Sequence, residues 1–298
     1  MKTDPSVTLV EVGPRDGLQN ESTVLQPAVR AELCARLLAA GIRRLEAVSF
    51  VNPNRVPQMA APDELLEVLG DVPSGASVEG LVLNEKGFDR ALVLGVKAVR
   101  YSFGISETFT RKNQNTGTDE ACKLGLSLLK RARECGVRFG VVLATSFGCP
   151  FEGEVEARRV LSVADRWLSA QPDELIFADT IGVGVPSQVK TLVGSCVDSG
   201  VAIGGHFHNT RNTGYLNAWT ALEGGASVLD ASVGGLGGCP FAPGATGNIA
   251  TEDLVYLLER MGVKTGVDVD ALIDISKWLQ DVLKKPLPGM LYRSGMFP

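Results

Sequence analysis

The chain lacks several features that would assign it to a common class of protein. Its apolar runs all fall short of the ~18 residues that a membrane span requires. The amino-terminal Met1-Lys2-Thr3-Asp4-Pro5 does not show the charged and then apolar pattern of a signal peptide. The six cysteines have no CxxC spacing, which argues against a zinc knuckle and a secreted disulfide framework. We therefore expect a cytoplasmic protein with no membrane partner.

An excess of positive charge is also missing. With 29 Lys and Arg against 34 Asp and Glu, the net charge is -5, which argues against a nucleic-acid partner and favours small-molecule chemistry. The chain has no Pro/Ser-rich linker and no low-complexity segment, and its 298 residues with 45% hydrophobic content can bury one large core. We expect a single catalytic domain over residues 1–298.

Short β-rich runs alternate regularly with longer amphipathic segments. The eight predicted strands are Val7–Val12, Arg44–Ser49, Ser77–Leu83, Ala98–Ser102, Arg138–Leu143, Glu174–Ala178, Val201–Gly205 and Val228–Ser232. The predicted helices between them are Pro27–Ala40, Pro62–Leu69, Glu85–Val93, Asp119–Cys135, Glu154–Ala170, Ser187–Asp198 and Gly214–Glu223. This alternation predicts an α/β fold, a (β/α)8 TIM barrel, with extra C-terminal helices at about Glu252–Met261 and Val269–Leu283. The competing doubly wound sheet lacks its GxGxxG motif.

Histidine is nearly absent, and its two occurrences stand together. His206 and His208 follow the short run Val201-Ala202-Ile203, and side chains at i and i+2 of a strand point to the same face. Both imidazoles can therefore meet one metal ion or one substrate, because neutral imidazole is a common metal ligand. The alternative is a pair of structural histidines or a solvated hairpin.

Two charged residues follow the first predicted strand. In a TIM barrel the carboxyl ends of the strands converge on one mouth, where functional groups gather. Arg15 and Asp16 reach that mouth together, Asp16 as an oxygen ligand and Arg15 as a permanent cation facing negative charge that develops in a reaction. The alternative is a Pro-Arg-Asp-Gly turn with surface charges.

Two further acids lie in or after apolar strands. Glu46 lies inside the second strand, where a charge must be paired or act on a substrate. We expect it either to hold Arg15 or to take part in proton transfer. Asp179 follows the sixth strand and is expected to accept a hydrogen bond behind the metal or to act as a base near it. Its alternative role is to cap the next helix.

A glycine-rich loop follows the eighth strand, from Gly234 to Asn248. So much glycine favours a loop that can close, and Cys239 at its centre would then reach the barrel mouth. A thiol with a reference pKa of ~8.5 is largely protonated near neutrality and can donate a proton to a carbanion or enolate. The alternative is that the loop simply needs a small residue there. Asn248 offers a neutral oxygen ligand.

Five separated motifs resemble the 3-hydroxy-3-methylglutaryl-CoA lyase family of the TIM-barrel metallolyase superfamily. They occur in the order of that family and extend from about Val7 to Met261, nearly the whole chain. The motifs are VEVGPRDGLQNE at 10–21, SFV at 49–51 with VPQM at 56–59, GCPFEG at 148–153, DTIGVG at 179–184, and the 234–248 loop followed by ATEDLVY at 250–256.

The resemblance implies a divalent-metal-dependent lyase that splits a 3-hydroxyacyl-CoA into acetyl-CoA and a keto acid such as acetoacetate. The family's metal ligands fall on Asp16, His206, His208 and Asn248, and its catalytic residues fall on Arg15, Glu46, Asp179 and Cys239. The expected substrate contacts are Gln19, Thr180 and Arg211. Two imidazoles with oxygen donors suit Mg²⁺ or Mn²⁺. The expected partners are an acyl-CoA substrate and a second copy of the chain in a homodimer.

Two departures from the family pattern leave the acyl group open. The expected His-x-His-Asp-Thr-Tyr-Gly-Gln reads HFHNTRNT at 206–213, and Gly140 lies on the fifth strand where an arginine is expected. The substrate can then be 3-hydroxy-3-methylglutaryl-CoA, citramalyl-CoA or a longer 3-alkyl analogue. Three further alternatives are a related condensing synthase, an iron oxygenase with two histidines and one carboxylate, and a catalytically silent barrel that binds CoA esters.

Overall fold

Eight parallel strands form a closed barrel in the computed structural model, which describes residues 7–238 and 247–298. The strands are β1 (Thr8–Glu11), β2 (Arg44–Ser49), β3 (Ser77–Val82), β4 (Ala98–Gly104), β5 (Arg138–Ala144), β6 (Glu174–Asp179), β7 (Ala202–Phe207) and β8 (Val228–Ala231). Each strand pairs with the next, and β8 pairs with β1 in a register that sets Thr8 opposite Val228. All eight predicted strands and the (β/α)8 TIM barrel are confirmed.

The helices pack their apolar faces against this barrel. They are α1 (Pro27–Ala39), α2 (Pro62–Leu69), α3 (Glu85–Val93), α4 (Glu107–Gln114), α5 (Thr118–Glu134), α6 (Ala157–Ala170), α7 (Pro186–Gly194), α8 (Gly214–Glu223), α9 (Thr251–Arg260), α10 (Val269–Leu283) and α11 (Leu291–Ser294). In α6, Val160, Ala164 and Trp167 recur at three- and four-residue spacing and are buried, as one apolar face of a helix requires. Trp167 stacks on Phe139 of β5, with ring centroids 6.3 Å apart. No helix in the described ranges is long and apolar enough to cross a membrane.

The structure adds two α-helices and a hairpin to the predicted set and moves several of the predicted boundaries. The additions are α4, α11 and a two-stranded hairpin of Gly148–Cys149 with Gly153–Glu154. Only two of the eight side chains in α4 are buried, too few for a helical periodicity to stand out in the sequence. Helix α6 begins at Ala157 rather than at the predicted Glu154, because Glu154 pairs with Gly148 in the hairpin.

Four ion-paired side chains fill the amino-terminal end of the barrel. Arg44 begins β2 and Arg138 begins β5, and both donate to Glu79 of β3 and Glu174 of β6. The Arg44 Nε lies 2.5 Å from Glu79 Oε1, and its Nη1 lies 2.8 Å from Glu174 Oε2. Both glutamates are fully buried, where an unpaired charge would be costly. We call these four residues the ionic plug.

The C-terminal helices hold the base of the loop that follows β8. Glu252 of α9 accepts hydrogen bonds from the Gly234 amide at 3.0 Å and from Ser276 Oγ of α10 at 2.8 Å. Asp253 accepts from the Leu291 amide at 2.7 Å, which ties α11 to α9. The two C-terminal helices expected after residue 252 are confirmed, and they support the side of the barrel on which the candidate site lies.

Candidate active site

A cavity of about 570 Å³ opens at the carboxyl-terminal end of the barrel. Side chains that follow or belong to β1, β2, β7 and β8 give it a polar side, namely Arg15, Asp16, Gln19, Glu46, His206, His208 and Asp230. Side chains of β3, β5 and β6 give it an apolar side, namely Leu81, Val142, Ala144 and Ala178. A cavity of this size and composition is typical of a site for a small organic ligand.

Three potential metal ligands meet on the polar side. One ligand atom each of Asp16, His206 and His208 lies within 4.8 Å of the others. The two histidine Nε2 atoms are 3.2 Å apart, as their i and i+2 spacing at the end of β7 predicts, and His206 Nε2 lies 3.9 Å from Asp16 Oδ2. Two unprotonated nitrogens this close repel each other unless a proton or a cation lies between them. The donor set of one carboxylate and two imidazoles therefore fits a divalent cation.

The neighbours of these three residues set their protonation. Burial and the nearby His206 lower the pKa of His208 to about 4, so it is neutral at pH 7 and able to bind a metal. Burial also acts to lower the pKa of His206, but the hydrogen bond to Asp230 and the charges of Asp16 and Asp230 raise it overall. Burial opposes the ionisation of Asp16, yet Arg15 and the two imidazoles lower its pKa to about 2. Asp16 is thus a carboxylate.

Asp230 is a residue that the sequence analysis missed. It lies in β8 between the buried Leu229 and Ala231, and its Oδ2 is 3.1 Å from His206 Nδ1. Acceptance of the Nδ1 hydrogen fixes the tautomer of His206 and leaves Nε2 free to face the other ligands, as is usual for metal-binding histidines. Asp230 could have been found by the argument that identified Glu46, since each is a single acid inside an apolar strand.

Arg15 is held between two carboxylates. It lies in the short π-helical segment Gly13–Gly17 after β1, with Nε 2.6 Å from Glu46 Oε1 and Nη1 2.7 Å from Asp16 Oδ1. The Arg15 side chain is 11% exposed, and the Glu46 side chain is 1% exposed. The guanidinium is therefore fixed before any ligand binds. Glu46 was expected either to hold Arg15 or to take part in proton transfer, and its contact with Arg15 corresponds to the first role.

Asn248 lies beside the metal group, but its amide nitrogen is the atom that faces Asp16. Asn248 forms a β-bridge with His208, and Nδ2 donates to Asp16 Oδ2 and to the Leu236 carbonyl, each at 2.9 Å. Binding of a metal through the amide oxygen requires the side-chain amide to rotate.

Two of the three expected substrate contacts line the cavity. Gln19 Oε1 is buried without a hydrogen-bond partner among the described residues, so it is an open acceptor at the cavity wall. Thr180 Oγ1 accepts from the Thr145 amide at 2.8 Å, which fixes the position of the hydroxyl. Both side chains are placed to contact a ligand.

Asp179 and Arg211 are not among the described residues that line the cavity. The two oxygens of Asp179 accept from the Val183 and Gly184 amides, each at 2.9 Å, and burial raises its pKa although these hydrogen bonds oppose the shift. Arg211 Nη1 donates to the carbonyls of Ile181 and Gly182, at 3.1 and 2.9 Å. Both side chains hold the loop that follows β6.

Cys239 lies outside the described residues, so its place at the barrel mouth stays a prediction. Gly238, just before it, lines the cavity, and its carbonyl accepts from Asn20 Nδ2 at 2.9 Å. Gly238, the last residue described before Cys239, therefore lies at the cavity wall.

The fold and the site together define a TIM-barrel enzyme with a candidate divalent-metal centre at the carboxyl ends of its strands. The chain belongs to the HMGL-like family, whose model matches residues 6–279. The predicted family resemblance is thereby confirmed, and the chain is a carbon-carbon lyase of the hydroxymethylglutaryl-CoA lyase type.

Relatives with two different substrate names support this assignment. The chain is 43% identical to (R)-citramalyl-CoA lyase of Chloroflexus aurantiacus, over 97% of this chain and 95% of that protein. It is 42% identical to hydroxymethylglutaryl-CoA lyase of Pseudomonas mevalonii, over 91% of this chain and 90% of that protein. An HMG-CoA lyase structure from Acinetobacter baumannii, in complex with coenzyme A and 3-methylmalate, matches with a TM-score of 0.94 at 34% identity, covering 100% of this chain and 99% of that one.

Proposed function

We propose that the protein cleaves a 3-hydroxyacyl-CoA into acetyl-CoA and a keto acid by a divalent-metal-dependent retro-Claisen reaction. A base takes the proton of the C3 hydroxyl, the bond between C2 and C3 breaks, and its electron pair moves to C2 as the enolate of acetyl-CoA. The C3 oxygen becomes the keto oxygen of the second product, and the enolate carbon takes up a proton. The main support is the 2.7 Å contact of Arg15 with Asp16, which sets a permanent cation beside the two-histidine group.

Asp16, His206 and His208 would hold the metal ion, with Asn248 as a fourth ligand through its amide oxygen. When bound, Mg²⁺ or Mn²⁺ supplies Lewis-acid chemistry that lowers the pKa of the C3 hydroxyl. Oxygen ligands together with imidazole suit these two ions. The Asn248 amide already contacts Asp16 at 2.9 Å, and rotation of that amide would turn its oxygen toward the other ligands.

Arg15 stabilises the enolate oxygen in this proposal. Its guanidinium is fixed by Glu46 and Asp16, so it need not reorganise as negative charge develops. Glu46 acts as a positioning residue for Arg15. Removal of one such fixed donor costs about 3 kcal/mol of transition-state stabilisation, or roughly 100-fold in turnover.

The remaining predicted residues take supporting parts. Gln19 and Thr180 contact the substrate, because both line the cavity. Asp179 and Arg211 keep the loop after β6 in place, and with it Thr180, since both hydrogen-bond to the backbone of that loop. Cys239 protonates the enolate carbon, as the family resemblance implies.

Two acyl groups are candidates because the relatives include a lyase named for each. Citramalyl-CoA carries its free carboxylate directly on C3, whereas 3-hydroxy-3-methylglutaryl-CoA carries it one methylene further away. Cleavage of the first gives acetyl-CoA and pyruvate, and cleavage of the second gives acetyl-CoA and acetoacetate. The 43% identity to a citramalyl-CoA lyase supports citramalyl-CoA as the substrate, as does Gly140 at the position where the lyase family is expected to have an arginine.

The test is product analysis by mass spectrometry after incubation of metal-stripped protein with each CoA ester. Release of acetyl-CoA with acetoacetate or pyruvate is expected only after Mg²⁺ or Mn²⁺ is restored, and the keto acid identifies the acyl group. Arg15→Gln should reduce kcat by about 100-fold or more. Arg158→Gln is the matched control, because that side chain is 84% exposed. Tight CoA-ester binding without products under either ion would instead favour a silent barrel.

We also propose that the enzyme works in the cytoplasm as a homodimer, which rests on the sequence and on the fold class alone. Light scattering of the purified protein measures the oligomeric state, and a monomeric mass would exclude the dimer.

A further inference from the structure

We propose that Arg100 is a positioning residue that links the two halves of the active site and sets the metal affinity. One half is Arg15 with Glu46, and the other is His206 with Asp230. The inference rests on the proposed function for its effect on turnover, but its effect on metal binding can be measured without turnover.

Arg100 contacts a carboxylate of each half. It lies on β4 and is fully buried. Its Nη1 is 2.8 Å from both oxygens of Asp230 and 3.6 Å from Glu46 Oε2, while its Nε is 2.8 Å from Glu174 Oε1. One guanidinium thus fixes the carboxylate behind His206, approaches the carboxylate that holds Arg15, and anchors both to the ionic plug below.

The neighbouring strand supplies the room for this arrangement. Gly140 on β5 is paired in register with Arg100 and with Glu174. A Cβ atom at Gly140 would lie 2.7 Å from Glu174 Oε1, which is the oxygen that accepts from Arg100 Nε. The glycine therefore lets Glu174 reach Arg100.

Arg100 also lies at the centre of a group of charged side chains inside the barrel. Four carboxylates lie within 4.0 Å of Arg100, and they are Glu46, Glu79, Glu174 and Asp230. Three other arginines, Arg15, Arg44 and Arg138, contact members of this set, and Arg15 also contacts Asp16. Arg100 is the one of the four that reaches Asp230 in the described structure.

A lysine at position 100 would keep the positive charge but would lose the separate nitrogen donors of the guanidinium group. The guanidinium holds Asp230 and Glu174 through separate nitrogens, which a single ammonium group cannot reproduce. Asp230 would then no longer hold the His206 ring with Nε2 facing His208 and Asp16. Loss of an outer hydrogen-bond partner of this kind typically weakens metal binding by 10- to 100-fold.

The experiment measures Mn²⁺ affinity of the metal-stripped full-length protein by electron paramagnetic resonance. We expect Arg100→Lys to weaken Mn²⁺ binding by about 10- to 100-fold, and to lower kcat more than it raises KM. Arg138→Lys is the matched control, because Arg138 pairs with Glu79 and Glu174 but not with Asp230. It should change the affinity by less than about threefold, and circular dichroism should show both variants folded.

A second experiment uses Asp230→Asn to test whether Arg100 acts through Asp230. If Arg100 acts through Asp230, the double variant Arg100→Lys/Asp230→Asn should bind Mn²⁺ about as weakly as the worse single variant, because coupled residues are not additive. Wild-type Mn²⁺ affinity in Arg100→Lys, equal losses in Arg100→Lys and Arg138→Lys, or fully additive losses in the double variant would each overturn the proposal. Absence of CoA-ester cleavage by the wild-type protein would count against the proposed function alone, since the Mn²⁺ affinities still decide the role of Arg100.

Discussion

Replacement of Glu11 by Gln tests how a buried acid beneath the site makes stability depend on pH. Glu11 ends β1 and is fully buried, and it accepts from the Gly13 amide at 2.7 Å, the Val233 amide at 3.0 Å and Thr251 Oγ1 at 2.6 Å. It thereby ties the turn that carries Arg15 to the loop after β8. Burial raises its pKa from 4.5 to about 7, although the three hydrogen bonds oppose the shift.

Proton linkage gives the sign and the size of the effect. Because the pKa of Glu11 is higher in the folded state, its proton stabilises the fold fully below about pH 4.5, and this stabilisation is lost as the pH rises through about 7. The difference between the two pKa values corresponds to roughly 3 kcal/mol, of which about 2.5 kcal/mol falls between about pH 5 and about pH 8. Glu11→Gln has no such proton, so the wild type should lose about 2.5 kcal/mol relative to the variant over that interval.

Urea unfolding in EDTA measures this difference without a contribution from metal binding. The free energy of unfolding of the wild type minus that of Glu11→Gln is compared at about pH 5 and about pH 8, so that the other titrating groups cancel. Glu67→Gln on α2 is the control for the removal of one carboxylate, because Glu67 is exposed. A difference for Glu11→Gln that stayed constant between these pH values would show that the three hydrogen bonds fully offset the effect of burial on the pKa of Glu11, and the reasoning would fail.

Two further predictions concern the barrel interior and the cavity wall. Gly140→Ala should lower stability by about 1–3 kcal/mol in urea unfolding, because its Cβ would lie 2.7 Å from Glu174 Oε1, and an unchanged midpoint would contradict the tight packing there. Gln19→Leu should raise KM for the CoA ester by about tenfold with little change in kcat, since it removes an open buried acceptor at the cavity wall. An unchanged KM in steady-state assays would remove Gln19 from the substrate contacts.

The barrel could be predicted because its strands are buried on both faces and therefore read as short apolar runs. All six residues of β6, for example, are buried, and the helices between strands have their own periodicity. Helix α4 has no such signal. Its short segment depends on contacts such as Thr110 Oγ1 donating to the Gly104 carbonyl at 2.8 Å, which no local pattern reveals.

Some features of the candidate site could likewise be predicted from the sequence, and others could not. Positions at the ends of strands were enough to bring Asp16 together with His206 and His208, because the barrel mouth gathers those ends. The pairing of Arg100 with Asp230 joins residues 130 apart in the chain and depends on the register of strands across the barrel. Arg211 was predicted to contact the substrate because it lies beside the histidines in the sequence. Its guanidinium instead donates to backbone carbonyls, and nothing in the local sequence indicated these contacts.

The ionic plug closes the amino-terminal end of the barrel. With Arg44, Glu79, Arg138 and Glu174 filling the amino-terminal end, a ligand that enters between the carboxyl ends of the strands has to leave by the same route. Both products of the proposed reaction would therefore leave through the opening at the carboxyl ends of the strands, past the side chains that line the cavity.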